Sequence, residues 1–549
     1  MDRFNPLRRS GASGFGLLFG VLFFCASLTP SLVPRSPEMQ GLLGGAVAAI
    51  GYALWAAVVR TWRWLDLPAP GARQQQVWGW VLAGVALATA ATALWFAAEW
   101  QNSIRALWGM PPVETIAPFR VGGIAAAVFV ALFLIGRSFL WLLARWARWL
   151  ERFLPRRIAL SLGFAGTALV FALLFDGVLF RGVLRMLDAS ALVADRLVPP
   201  ELPRPVAPER TGSAASLVRW EDLGKWGRKH IAFGPTAADI GAFWDAPAKD
   251  PIRVHVGLAA ASDPVERARL ALAELKRVGG FDRRILVIAM PTGSGWLDPG
   301  SHDPLEYMHR GDIATVSVQY SYLNSMLSIL VDPTLGLAEA QALFDAVYGH
   351  WTTLPKDARP RLYLHGLSLG AFLSQNTVPL LDVLGDPFHG ALWTGSPFLS
   401  EFWLFVVARR QPGSPPWRPA FGNGSLIRSM NQDARFHGDP APWGPMRLVL
   451  LQYASDPVVH FDYSLAFRAP DWLSGDRGPD VSPQIRWLPV ITMLQVAIDM
   501  AVSLGVPGYG HDYIAEHYIP AWAETTEPEG WTPERQAALQ ALFAGRRVR

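Results

Sequence analysis

Apolar residues are distributed in two different ways along this chain. In the first third they form long runs, about Phe15 to Leu32, Leu42 to Val59, Val77 to Trp95, Val121 to Trp141 and Ile158 to Phe180. Each approaches or reaches the roughly 20 residues that a helix needs to cross a bilayer, where only a helix or a closed barrel satisfies its own backbone. The pattern predicts five membrane helices within residues 1–190. After residue 250 the runs shorten. Ile252 to Leu258, Arg284 to Met290, Ile313 to Tyr320, Arg361 to His365, Ala391 to Thr394 and Arg447 to Tyr453 read as strands, whereas Pro264 to Val278 and Leu337 to Tyr348 have the spacing of amphipathic helices. Alternating strands and helices predict an α/β domain over residues 251–549, a mostly parallel sheet with helices on both faces.

Residues 191–250 read as a linker, because Pro199 to Pro208 spells PPELPRPVAP, which forbids regular helix and favours an extended spacer. Two insertions in the α/β domain, about 402–445 and 468–505, have the character of lids. The first is rich in Trp, Pro and Phe. The second contains the apolar stretch Leu488 to Leu504, which is short and carries Gln495 and Asp499, so a lid or core helix is expected rather than a sixth span.

Composition adds direction to this picture. Of 549 residues 51% are hydrophobic, which places part of the chain in lipid. Net charge is only +4 and no basic stripe interleaves with aromatics in the second half, so nucleic acid is not an expected partner. The one cysteine, Cys25, excludes an internal disulfide and a cysteine-based metal site; no metal and no cofactor is expected. Arginines cluster before the first run (Arg3, Arg8, Arg9), after the second (Arg60, Arg63, Arg73) and after the fourth (Arg145, Arg148, Arg152, Arg156, Arg157). The intervening loops set Arg35 against Glu38, and Arg105 and Arg120 against Glu99 and Glu114. By the positive-inside rule the N-terminus is cytoplasmic, and an odd number of spans places the α/β domain outside the cytoplasm. The first run resembles a signal peptide, but Leu22 and Phe24 lack the small side chains of a cleavage site, so it is expected to stay as an anchor.

The chemistry centres on Gly366-Leu367-Ser368-Leu369-Gly370, which lies between a predicted strand and a helix-like stretch. Glycines on either side of a serine allow a sharp strand-to-helix turn that presents the hydroxyl. A serine needs a histidine to take its proton and a carboxylate to orient that histidine. Asp456 follows the strand ending at Tyr453, and His511 sits in the glycine-flanked Gly508-Tyr509-Gly510-His511-Asp512-Tyr513. Their order, Ser then Asp then His, suits the fold. Asp462 and Asp433 are rival acids, and His460 and His517 rival bases; His255, His350, His365 and His389 read as structural. For the oxyanion, backbone N–H groups are expected from Leu369 and from Thr292, Gly293 or Ser294 in the loop Pro291-Thr292-Gly293-Ser294-Gly295-Trp296. That loop lacks the spacing of a nucleotide-binding G-x-x-x-x-G-K-[ST] motif.

Thr292-Gly293-Ser294-Gly295-Trp296, Gln319-Tyr320-Ser321-Tyr322, the Ser368 pentapeptide, Ser455-Asp456-Pro457 and Ser27 to Arg35 (SLTPSLVPR) together resemble a bacterial family of membrane α/β-hydrolases. The likeness spans nearly the whole chain. It implies a multi-helix membrane domain followed by an α/β-hydrolase domain, a Ser368–Asp456–His511 triad and residence in the cytoplasmic membrane. The expected substrate is an acyl ester of a lipid or lipid-linked envelope molecule, with water or a hydroxyl as acceptor. A membrane scaffold with a vestigial site is the reading of another class. A transporter would need ionisable residues inside the helices, and the runs offer only Arg137 and Asp176.

Overall fold

The computed structural model describes residues 13–68, 71–175, 181–199, 202–323, 328, 332–378 and 380–547. Arg3, Arg8, Arg9, Asp176, Phe180 and the Pro200-Glu201 step of the proline-rich run lie outside them. The chain divides into two compact units. One comprises Met1–Met186, Asp462–Ser474 and Pro479–Val502, and the other Leu187–Phe461, Gly475–Gly478 and Ser503–Arg549.

The first unit is helical. Its helices are α1 (Gly14–Ser27), α2 (Pro37–Trp64), α3 (Ala72–Leu107), α4 (Pro118–Leu150) and α5 (Arg156–Ala172). Four segments are long and apolar enough to cross a membrane: Pro37–Arg63, Arg73–Leu107, Pro118–Leu150 and Arg156–Phe175. The first of the five expected runs forms α1, an apolar helix shorter than these four. Its 14 residues rise only about 21 Å at 1.5 Å each, and the turn that starts at Leu28 and meets Pro30 ends it. Small residues let the long helices approach closely, since a Cβ on Gly45 of α2 would lie 2.5 Å from the carbonyl oxygen of Ala125 in α4. Two ion pairs join parts of this unit: Glu38 bonds Arg120, and Arg35 bonds Asp499.

The Ile491–Val502 helix belongs to this unit, where Ile491 packs with Leu43 and Val47 of α2. At 12 residues it is too short to span a bilayer.

The second unit is built on seven strands: β1 (Ile252–Val256), β2 (Ile285–Met290), β3 (Ile313–Val318), β4 (Arg361–Leu367), β5 (Gly390–Thr394), β6 (Ile427–Met430) and β7 (Arg447–Leu451). Their spatial order is β1-β3-β2-β4-β5-β7-β6, and every adjacent pair is parallel. The central strands β2 and β3 are buried along their whole length; β2 (ILVIAM) has no polar residue, and the polar positions of β3, Thr315 and Ser317, are buried as well, because helices cover both faces. One core packs Leu343, Phe344, Val347 and Trp351 of the Leu337–Thr353 helix against one side of the sheet; the other packs Tyr518, Ile519 and Trp522 of the Ala515–Thr526 helix against the opposite side. The insertion at 402–445 contributes to the sheet. It supplies β6, an edge strand paired with β7 from Ile427↔Leu448 to Met430↔Leu451.

Candidate active site

The carboxyl ends of β4, β5 and β7 bring the chemistry-bearing residues together. Ser368 stands between β4 and the Leu369–Asn376 helix with φ +57° and ψ −124°. A serine in this region is strained by about 1–3 kcal/mol, and it persists only where its surroundings fix it. Its N–H donates to the Thr394 carbonyl at 2.9 Å, and its carbonyl accepts from the Phe372 N–H at 3.1 Å. The flanking glycines are sterically required. A Cβ on Gly370 would lie 2.3 Å from the Met290 carbonyl oxygen, and one on Gly366 would lie 2.3 Å from the Gly370 carbonyl. The helix therefore presses directly on the end of β2, next to the 291–296 loop.

Asp456 follows β7 and is fully buried. A buried carboxylate is tolerable only when its lone pairs are met by donors. Here His511 Nδ1 lies 2.6 Å from Oδ2, the Tyr513 hydroxyl donates to the same oxygen at 2.9 Å, and the Val458 N–H donates to Oδ1 at 2.9 Å. Burial and the neighbouring Asp456 raise the Tyr513 phenol well above its ordinary pKa, so it remains a donor. With the proton of His511 on Nδ1, its Nε2 faces outward from the pair as an acceptor, and that nitrogen has no partner among the described residues.

The loop carrying His511 is held at both ends. Gly508 (φ +86°) and Gly510 (φ +60°) take conformations that favour glycine. The Gly510 N–H donates to Ser455 Oγ at 3.0 Å, and the His511 N–H donates to the Ser503 carbonyl at 3.0 Å. The imidazole lies against Gly395, where a Cβ would sit 2.8 Å from Cε1. Gly395 directly follows Thr394, the residue bonded to Ser368 N–H, so one peptide step at the end of β5 lies between the contact to Ser368 and the contact to the imidazole. Exposure is only 4% for Ser368 and 8% for His511.

Leu369 opens the helix after Ser368, so its N–H has no partner one turn back. The 291–296 loop closes on itself through Thr292 N–H to the Trp296 carbonyl at 3.0 Å and Gly295 N–H to the Thr292 carbonyl at 2.8 Å. Thr292's N–H is thus engaged, which leaves Gly293 and Ser294 as the donors this loop can offer. Gln319 clamps the loop: its amide donates to the Ser294 carbonyl at 3.1 Å and the Ser321 carbonyl at 3.0 Å, while its oxygen accepts from the Leu258 N–H at 3.1 Å.

The rival residues are engaged elsewhere. Asp433 pairs with Arg418 at 2.8 Å, Asp462 caps the turn at Ser464 with a 2.6 Å bond, and His517 Nδ1 meets the Tyr453 hydroxyl at 2.6 Å. His460 ends the short helix begun by Pro457, and burial lowers its pKa to about 4. Tyr513 and Gln319 are the site residues that sequence reasoning passed over; both lie inside the quoted motifs, two residues after His511 and one residue before Tyr320. Among the described residues no group of three or more His, Cys, Asp or Glu is placed to hold a metal ion.

A sequence model described as an alpha/beta-hydrolase family matches residues 252–539, and one described as that family's N-terminus matches residues 28–235. No curated protein and no solved structure matches the chain.

Proposed function

The chain belongs to an alpha/beta-hydrolase family, and from that premise we propose that it is a membrane-bound serine hydrolase acting on acyl esters of lipids or lipid-linked envelope molecules. The observation that carries this reading is the elbow at Ser368, set at positive φ beside the 2.6 Å His511–Asp456 pair. Ser368 Oγ attacks the acyl carbonyl as His511 Nε2 takes its proton. Asp456 holds the tautomer and stabilises the imidazolium that forms. The oxyanion meets Leu369 N–H and an N–H from Gly293 or Ser294. The acyl-enzyme then passes its acyl group to an acceptor, whose proton returns through His511.

Water as acceptor gives an esterase or lipase. The near-complete burial of Ser368 also suits a lipid or sugar hydroxyl as acceptor, because a shielded acyl-enzyme survives until that hydroxyl arrives. The four long apolar helices suit the cytoplasmic membrane of a bacterium. With α1 counted as a shortened fifth crossing, the arginine asymmetry puts the hydrolase unit on the extracytoplasmic side. A phosphatase reporter fused after Arg549 is active under this topology and silent under the opposite one.

Purified full-length protein supplied with 4-nitrophenyl esters tests the reaction. Release of nitrophenol that Ser368→Ala abolishes supports it, and equal release by both proteins contradicts it. An added alcohol that diverts acyl groups from free acid to ester selects the transferase branch.

A further inference from the structure

Gln319 follows β3 directly and is 1% exposed. Its N–H donates to the Val256 carbonyl at the end of β1 at 2.9 Å, so it sits at the carboxyl edge of the sheet. Both polar atoms of its side chain are engaged. Oε1 accepts from the Leu258 N–H at 3.1 Å, and Nε2 faces three oxygens, the Ser321 carbonyl at 3.0 Å, the Ser294 carbonyl at 3.1 Å and Asp195 Oδ1 at 3.4 Å. The amide can stand only one way round, since the reverse would set its oxygen against three others. Asp195 is itself buried and fixed, its Oδ1 accepting from the Lys225 N–H at 2.9 Å. Two glycines close the pocket: a Cβ on Gly224 would lie 2.6 Å from Gln319 Oε1, and one on Gly295 would lie 3.0 Å from its Cγ. All of these residues belong to the hydrolase unit.

What this amide grips is a turn. The 2.8 Å bond from the Gly295 N–H to the Thr292 carbonyl closes four residues, with Gly293 and Ser294 at the centre. The closing bond uses neither central N–H, so both are left to face a ligand. At the root of the turn the Leu369–Asn376 helix presses in, and a Cβ on Gly370 would lie 3.1 Å from the Pro291 carbonyl oxygen. The turn is therefore held at its root by the helix that follows Ser368 and at its tip by Gln319. Glycine backbone has no side chain to fix its direction, so these grips decide where the N–H groups aim. A misplacement of about 1 Å in a reacting geometry can cost on the order of 10²-fold in rate.

We propose that Gln319 is a positioning residue for the oxyanion donors, holding the Thr292–Gly295 turn so that an N–H of Gly293 or Ser294 meets the oxygen that becomes negative when Ser368 attacks. Gln319 touches neither substrate nor nucleophile; it acts through the Ser294 carbonyl, and Asp195 fixes which way its amide stands. This inference rests on the Ser368–His511–Asp456 reading.

The test uses full-length protein in nanodiscs, a 4-nitrophenyl ester and the matching thionoester, in which sulfur replaces the carbonyl oxygen. Sulfur is larger and accepts hydrogen bonds weakly, so the ratio of kcat for ester over thionoester reports how well the N–H donors are aimed. Gln319→Met keeps the length of the side chain and removes its amide. It is expected to lower kcat for the ester at least tenfold with KM within about twofold, and to shrink the ratio about tenfold. A purely structural role would lower the melting temperature, or kcat for both substrates in equal proportion, and leave the ratio unchanged; that result overturns the proposal. Should Gln319→Met fail to fold, Gln319→Asn decides, because it keeps an amide in the pocket but is one methylene too short to reach the Ser294 carbonyl. A ratio reduced about threefold in Gln319→Asn supports the proposal, and the wild-type ratio overturns it. Ser368→Ala separates the two levels. If it hydrolyses ester as wild type does, the hydrolase reading has failed and the proposal with it, whereas an inactive Ser368→Ala beside an unchanged ratio in Gln319→Met overturns the positioning role alone.

Discussion

Trp80, Trp95 and Phe119 of the helical unit are 74%, 82% and 95% exposed, whereas Trp351, Trp522 and Tyr453 of the hydrolase unit are all 0% exposed. Both units are rich in large apolar side chains, yet they dispose of them in opposite directions. In the hydrolase unit the side chains pack on the two faces of a parallel sheet, which removes them from water. The helical unit has no sheet to cover, and its long helices turn Leu, Trp and Phe outward along their length. Outward apolar surface on this scale suits contact with lipid. Hydrophobicity alone therefore does not separate the two regions; the length of the apolar runs and the direction in which they face do.

The comparison also separates the ways in which polar groups are buried. Asp456 meets three donors from the hydrolase unit, and Asp499 meets four from the turn between α1 and α2. In the proposed triad, Asp456→Asn removes the charge that stabilises the imidazolium and favours the wrong tautomer of His511. Turnover of an ester substrate is expected to fall by roughly 10³–10⁴ with the fold intact by circular dichroism. A loss below tenfold would assign the acid elsewhere.

Two exposed leucines probe the division of solvent directly. Leu87, in the middle of α3, is 72% exposed and Leu384, in the hydrolase unit, is 66% exposed. In lipid, Leu87→Asp costs roughly 2.5–3.5 kcal/mol of insertion free energy. In water, Leu384→Asp changes stability by no more than about 0.5 kcal/mol. Membrane-fraction yield should drop for the first and hold for the second; equal behaviour would erase the distinction drawn between the units.

Acidification tests the buried histidines of the hydrolase unit. Burial lowers the pKa of His255, His365 and His460 to about 4. The unfolded chain binds those protons near 6.5, so between about pH 6.5 and 4 it holds more protons than the native state, and stability falls as pH falls. Asp298 and Glu306, raised by burial to about 7, act in the opposite sense over part of the same window, while His309 and His389, lowered by burial to about 3 and about 4, act with the other histidines. The depressed histidines outnumber the raised carboxyls, so the melting temperature falls from pH 6.5 to 5.5. A flat or rising melting temperature would contradict the assignment of these side chains as neutral.

The smallest effect is expected from Tyr513→Phe. It removes one of three donors to Asp456 and leaves the ring stacked on Tyr453 at 4.0 Å. A hydrogen bond to a charged group contributes about 1.5–3 kcal/mol, of which a retained His511 contact and Val458 N–H preserve the larger share, so kcat should fall about tenfold. No change would show that Asp456 needs only the other two.

Much of this was legible in the sequence because local chemistry dictates it. Glycines around Ser368 are forced by the 2.3 Å approach of the helix to β2, and the Ile/Val runs of β2 and β3 are forced by burial on both sides. Ser368, Asp456 and His511 each lie just beyond a strand or on a glycine-framed loop, positions that a motif reading can find. What escaped depends on distant partners. β6 hides in a Trp- and Pro-rich insertion because Ile427–Met430 has no periodicity of its own and becomes a strand only beside β7. The first apolar run carries the composition of a span, but its helix stops at Ser27, where the chain turns to hold Asp499. Arg35 and Asp499 are separated by 464 residues, so nothing local pairs them. Read alone, Arg35 is a topology charge and Asp499 an argument against a span.

Whether Ser368 is an activated nucleophile is decided by labelling full-length protein with a fluorophosphonate. Such a probe reacts with a serine only where a base draws off its proton and an oxyanion site receives the phosphonyl oxygen. One covalent label is expected on wild type, on the peptide containing Ser368, and none on Ser368→Ala. Equal labelling of the two proteins, or none of either with wild type folded, would contradict it.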